Sequence, residues 1–327
     1  MPPRNIYEQQ AVNKRKTLLV MASFMLFVGL LGLGFDVFIL GCPGNGFGVH
    51  FPFATVAALG IGSLSALWSL ESGAKSVLAS STAVPVMEGD PRYQQLSNVV
   101  DEMSIASGLP RPAIYVVPDP DPNAFATGKD SDHAAIAVTQ GLLDQMNRDE
   151  LQAVIAHEMS HVRNYDIRLM TVVAALLGAV ALLSEYGLRL MRYGAIGGKK
   201  SSDRKGNGGI ILLVLWLIAL VLAPLVSRML AMAVSRQREY LADASGAELT
   251  RNPAALASAL GKIDAAIEPT RLIKKGTAEL CIGDPLGAAA NDREGFLADL
   301  FATHPPMRNR IMLLRAMAFQ QSGVIRG

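Results

Sequence analysis

Residues Thr17 to Leu40 read TLLVMASFMLFVGLLGLGFDVFIL, a stretch whose only charge is Asp36. A run this long and apolar crosses a bilayer as one helix, because a helix satisfies its own backbone N–H and C=O groups without water. Lys14, Arg15 and Lys16 precede it as in a signal peptide, but the run is too long and has no small-residue cleavage site, so it reads as an uncleaved anchor. Phe53 to Leu70, bounded by Pro52 and Glu71, is just long enough to return. Two later runs, 169–188 and 210–230, are apolar all round, which favours spanning or membrane-embedded helices over buried core helices. Of the 327 residues, 50% are hydrophobic and only 18% charged, as suits a chain built partly for lipid.

Lysines and arginines orient the first hairpin. Its connection, Gly41 to Pro52, carries none, while Arg4 and the Lys14 to Lys16 cluster precede it and Lys75 follows, so both flanks belong in the cytoplasm. The connection between the later runs holds Arg189, Arg192, Lys199, Lys200, Arg204 and Lys205, which conflicts with an external position. Those two runs either cross regardless or form a hairpin that dips into the membrane or lies against it. A net charge of +2 without a dense basic stripe excludes a nucleic-acid partner. Cys42 and Cys281 fall on opposite sides of the membrane, so no disulfide joins them.

Between the hydrophobic pairs, Tyr93 to Ala106 has helical spacing at Leu96, Val99, Val100 and Met103. Strand candidates follow at 113–117, 124–127 and 134–138, separated by turn-forming Pro, Asp and Gly. The expected architecture is mainly α with a small antiparallel β-sheet. A cytoplasmic N-terminus, 1–16, leads into a transmembrane hairpin over 17–70; a polar domain in two parts, 71–168 and 231–327, is interrupted by the second hydrophobic hairpin, 169–230.

The polar domain carries His157-Glu158-Met159-Ser160-His161 on a helix that Asp149 and Glu150 open. Positions i and i+4 share a helix face, so both imidazoles can converge on one metal, with Glu158 beside the water it would activate. A hydrolytic zinc takes three protein ligands and keeps a fourth position for water. Glu239 is the candidate third ligand, and Asp243, one turn on, is placed to accept the free ring N–H of a coordinating histidine. Taken alone, Arg236, Arg238, Glu239 and Asp243 would more commonly mark an exposed helix of alternating charge.

Five motifs in order resemble the HtpX-type membrane metalloproteases, relatives of the CAAX prenyl proteases. They are Asn123-Ala-Phe-Ala-Thr-Gly, Ile136-Ala-Val-Thr-Gln-Gly-Leu-Leu, the histidine motif, Ser235-Arg-Gln-Arg-Glu-Tyr-Leu-Ala-Asp, and Thr303-His-Pro-Pro with Arg310-Ile311. The resemblance implies an integral-membrane, gluzincin-like fold with one zinc per subunit on His157, His161 and Glu239, and Glu158 as general base. It implies that Asn123, Ala124, Phe125, Ala126 and Thr127 form a substrate-binding edge strand, the plain alternative being an ordinary strand of the sheet. It places His304 near the metal, stabilising an oxyanion or filling the open position, unless Thr303 and Pro305 merely start a helix. The implied role is cleavage of misfolded or membrane proteins in a bacterial inner membrane, with the active site facing the cytoplasm. A more specific processing protease of the CAAX type and an inert membrane scaffold are the alternatives.

Overall fold

In a computed structural model of the protein, the described residues are 52–170, 238–266, 280–283 and 305–324, with Leu272 and scattered positions between Arg15 and Val37. Those scattered positions are helical and pair antiparallel with a helix over Phe53–Ser80. Asp36 accepts hydrogen bonds from the Thr55 backbone N–H at 2.8 Å and from its hydroxyl at 2.6 Å. Pro52 gives the second helix no side-chain cap, so a carboxylate from the preceding helix satisfies its first turn instead. Further along, Gly29 leaves room for Leu59, and the Ser63 hydroxyl meets Met25 Sδ at 3.9 Å. Leu26, Leu30 and Leu33 of the first helix and Ile61, Leu64 and Leu67 of the second are exposed, so the pair keeps its polar staple inside and turns apolar side chains outward. Among the described residues no helix is long and apolar enough to cross a membrane. The expected second hairpin lies outside the described residues apart from Leu169 and Met170, both buried.

The sheet has four strands, β1 (Val84–Pro85), β2 (Ala113–Val117), β3 (Ala124–Gly128) and β4 (Ala134–Thr139), in the order β1-β2-β4-β3. It is mixed, not antiparallel as expected: β2 and β4 run parallel, flanked by antiparallel pairs β1–β2 and β3–β4. Pro118-Asp-Pro-Asp-Pro is the reason. Three prolines cannot make a two-residue hairpin, so the chain crosses beyond the place β4 will occupy and lays β3 on its far side. The crossing is tied down where Gly141 N–H donates to Asp119 O at 2.9 Å. A Cβ on Gly141 would fall 1.8 Å from Pro120 O, so only glycine fits that approach.

Helix Gln94–Ser107 buries Leu96, Val99, Val100 and Met103, the positions its periodicity singles out, and stops at Gly108 in the left-handed region with φ 68°. It packs on helix Arg148–Arg163, which in turn meets helix Pro253–Asp264; the last helix, Met307–Val324, covers Pro253–Asp264 from the other side. These helices and the inner sheet face share one core, centred on Val100, Ile136, Val154 and Leu256.

Candidate active site

Helix Arg148–Arg163 carries His157, Glu158 and His161, and its first turn is held firmly. Asn147 Oδ1 accepts from Glu150 N and Glu150 Oε2 accepts from Asn147 N, both at 2.9 Å, a complete capping box. Ser258 and Lys262 of the next helix donate to the same carboxylate at 2.7 and 2.6 Å. Burial works to raise the Glu150 carboxyl, but Lys262, Ser258 and the Asn147 amide outweigh it and leave it below the usual range. Glu150→Gln is expected to lower stability by about 1–2 kcal/mol at neutral pH. With a depressed folded-state pKa, that contribution is present above about pH 4.3 and is lost as pH falls through the folded value, so the variant and parent melting curves should converge in acid.

His157 and His161 are 0% and 5% exposed, and their Nε2 atoms lie 3.3 Å apart. Glu239, on the helical stretch 238–250, brings Oε2 to 3.7 Å from His157 Nε2 and Oε1 to 3.6 Å from His161 Nε2. One ligand atom from each of the three residues lies within 4.8 Å of the others. Ligands about 2.0–2.1 Å from a tetrahedral zinc are about 3.3 Å apart, so the donor set matches such an ion in type and spacing.

Each imidazole has its own carboxylate behind it. Asp243 Oδ1 lies 3.1 Å from His157 Nδ1, and Asp166 Oδ2 lies 3.2 Å from His161 Nδ1. His161 Nδ1 is within hydrogen-bonding reach of Asp166, which turns its Nε2 towards the metal position, and Asp243 is the ion-pair neighbour of His157 Nδ1. Asp166 follows the helix end at Asn164 and the left-handed Tyr165 at φ 59°, a conformation unfavourable for a bulky residue. The turn brings Asp166, 0% exposed, back against the helix it has just left. Burial opposes a charge on His161, but Asp166 and Glu239 together raise its imidazole to about 9, so the pocket favours positive charge.

The two ligand helices approach closely at Gly246, where a Cβ would lie 3.0 Å from His157 N and 3.1 Å from its Cα. Both obstructing atoms are backbone. Gly246→Val should therefore separate the helices, lowering stability by about 1–3 kcal/mol and weakening zinc binding in parallel, as thermal unfolding and chelator competition would show.

Arg310, from the last helix, is fully buried and completes the site. Its Nε and Nη2 donate to Asp243 at 2.8 and 2.7 Å, while Nη1 donates to Ile282 O at 2.8 Å and lies 3.2 Å from Glu239 Oε2. Burial works to raise the Asp243 carboxyl, and the guanidinium overcomes it and holds it low. Around the cluster, buried Glu158, Asp166, Glu239 and Asp243 face buried Arg238 and Arg310.

Glu158 is 1% exposed, and neither carboxylate oxygen makes a hydrogen bond among the described residues. Burial pushes its carboxyl up, against the pull of the two histidines. A carboxylate so placed gains a partner when water or substrate enters.

The proposed edge strand is β3, the last strand of the sheet, and Asn123 to Thr127 are all buried. Its outer side is partly taken by the chain itself. Phe125 bridges Cys281 antiparallel, Ile282 N–H donates to Ala124 O at 2.9 Å, and Asn123 Nδ2 donates to Gly283 O at 3.2 Å. His304 lies outside the described residues. The sequence reading did not single out Asp166 at all, and it noted Arg310 only as part of a motif. For Asp166 the available signal was a carboxylate five residues past the second histidine.

A family model described as peptidase family M48 matches residues 91–318. A protease HtpX homolog of Caldanaerobacter subterraneus subsp. tengcongensis is 44% identical over 319 residues, 97% of this chain and 99% of that protein. Another from Thermoanaerobacter pseudethanolicus is 42% identical over 318 residues, 97% of this chain and 99% of its own. Among solved structures, that of S. mikatae Ste24p aligns with a TM-score of 0.48 at 19% identity, covering 94% of this chain and 66% of the other.

Proposed function

Because the chain belongs to peptidase family M48, a metallopeptidase family, we propose that it is a membrane-bound zinc endopeptidase in which Glu158 is the general base. The observation that carries this reading is the convergence of His157, His161 and Glu239, with a separate carboxylate behind each imidazole. Zinc on these three residues would supply Lewis acidity, making water nucleophilic at neutral pH and polarising the scissile carbonyl. The protein's own groups do the rest. Asp243 and Asp166 hold the two imidazoles in the coordinating tautomer. Glu158, desolvated and with its proton affinity raised, takes the proton from the attacking water and delivers it to the leaving amine.

The outward leucines of the hairpin and the polar Asp36–Thr55 staple within it support anchoring in a bilayer. From the charge pattern we place the active site on the cytoplasmic face of a bacterial inner membrane, with misfolded and membrane proteins as substrates. One zinc per subunit is expected in the detergent-purified protein, with cleavage of unfolded casein that stops on chelation and returns with zinc. Protein without bound zinc would sink the reading, and cleavage confined to a single tagged peptide would shift it to a specific processing protease. Reporter fusions within residues 194–209 test the topology: cytoplasmic signal there is expected of a membrane-dipping hairpin, external signal of two full crossings.

A further inference from the structure

Arg310 joins the helical stretch 238–250 to segment 280–283. On one side its guanidinium holds Asp243 with two hydrogen bonds and lies 3.2 Å from Glu239. On the other it donates to the Ile282 carbonyl, whose own N–H pairs with Ala124 on the outer side of β3. All of these groups are buried, so water does not compete for the guanidinium. The group is also planar and rigid, which means that a shift of Glu239 or Asp243 must either carry the fork with it or break a contact to Ile282. The segment 280–283 is held against β3 by the Phe125–Cys281 bridge, to which the Ile282 amide bond belongs, and by the Asn123 side chain. It therefore links the Arg310 fork to the strand edge where an extended peptide could add.

We propose that Arg310 is a positioning residue that couples occupation of the His157–His161–Glu239 site to the hold of segment 280–283 on the edge of β3. The proposal rests on the metal-site reading above. A cation on Glu239, and through His157 on Asp243, fixes two of the three groups the fork touches, and so fixes the fork for the third. Lysine cannot reproduce this, since one ammonium cannot bind Asp243 bidentately while meeting Glu239 and Ile282. By reciprocity, the factor by which a bound metal strengthens the hold of 280–283 on β3 is the factor by which that hold strengthens metal binding.

The test is hydrogen exchange of the full-length protein in detergent, with and without zinc, read on peptides covering 280–283, together with zinc affinity by chelator competition. In the parent, zinc should slow exchange of the Ile282 amide severalfold. In Arg310→Lys, zinc should bind roughly 10–100-fold more weakly, and at saturating zinc the protection of 280–283 should be absent. Parent protein that binds zinc without protecting 280–283 overturns the coupling and leaves the metal site standing; parent protein that binds no zinc overturns both. An Arg310→Lys variant that melts lower but keeps zinc-dependent protection shows a merely structural role and also overturns the proposal. If that variant does not fold, the parent measurement decides alone.

Discussion

Replacing Glu158 by glutamine is expected to leave one zinc per subunit in place while lowering turnover by about 100- to 10,000-fold, the usual worth of a positioned general base. The two measurements separate because Glu158 stands outside the donor set: His157, His161 and Glu239 converge without it. Glutamine keeps the shape and fits the buried position, but it cannot accept a proton. It should also relieve burial of a carboxylate that finds no hydrogen bond among the described residues, so the variant is expected to melt no lower than the parent. Zinc analysis, cleavage kinetics and a thermal melt on one preparation suffice. Full activity in a preparation free of contaminating protease would remove Glu158 from the mechanism, whereas loss of zinc would move it into the donor set.

Glu239→Ala should give the converse pattern. Sites with a full donor set bind zinc with about 10–16 kcal/mol, so loss of one ligand is expected to weaken binding on the order of a hundredfold or more, and cleavage should disappear with the metal. The fold should survive. Arg310 keeps its bidentate partner Asp243 and the Ile282 carbonyl, so the buried guanidinium stays compensated when Glu239 is removed. A variant that keeps zinc affinity would exclude Glu239 as a ligand. One that fails to fold would show that Glu239 is needed chiefly to balance Arg310.

The contrast between these two carboxylates shows what was legible in the sequence. His157, Glu158 and His161 share one helix, so the 3.6-residue period brings them together without any knowledge of the fold. The same locality made β2, β3 and β4 readable from apolar runs bounded by Pro, Asp and Gly. What escaped depends on distance along the chain. The sheet was expected to be antiparallel, whereas β2 and β4 run parallel, because sequence marks strands but not which neighbours they choose; β1 is two residues long, one of them a proline. Asp166 reaches His161 only through the left-handed turn at Tyr165, and Arg310 meets Asp243 across 67 positions of chain. No local pattern encodes the Arg310 contact, and the only local trace of the Asp166 contact is a carboxylate five residues past His161.

The order of these residues along the chain has a consequence for biosynthesis. His157 and His161 leave the ribosome first, and Glu239 and Asp243 follow only after the hydrophobic stretch 169–230; Arg310 comes later still. A nascent chain thus carries half a metal site and no guanidinium to organise the other half. Completion of the donor set waits until that stretch has been made. Metal loading, on this account, is also a record that assembly is finished.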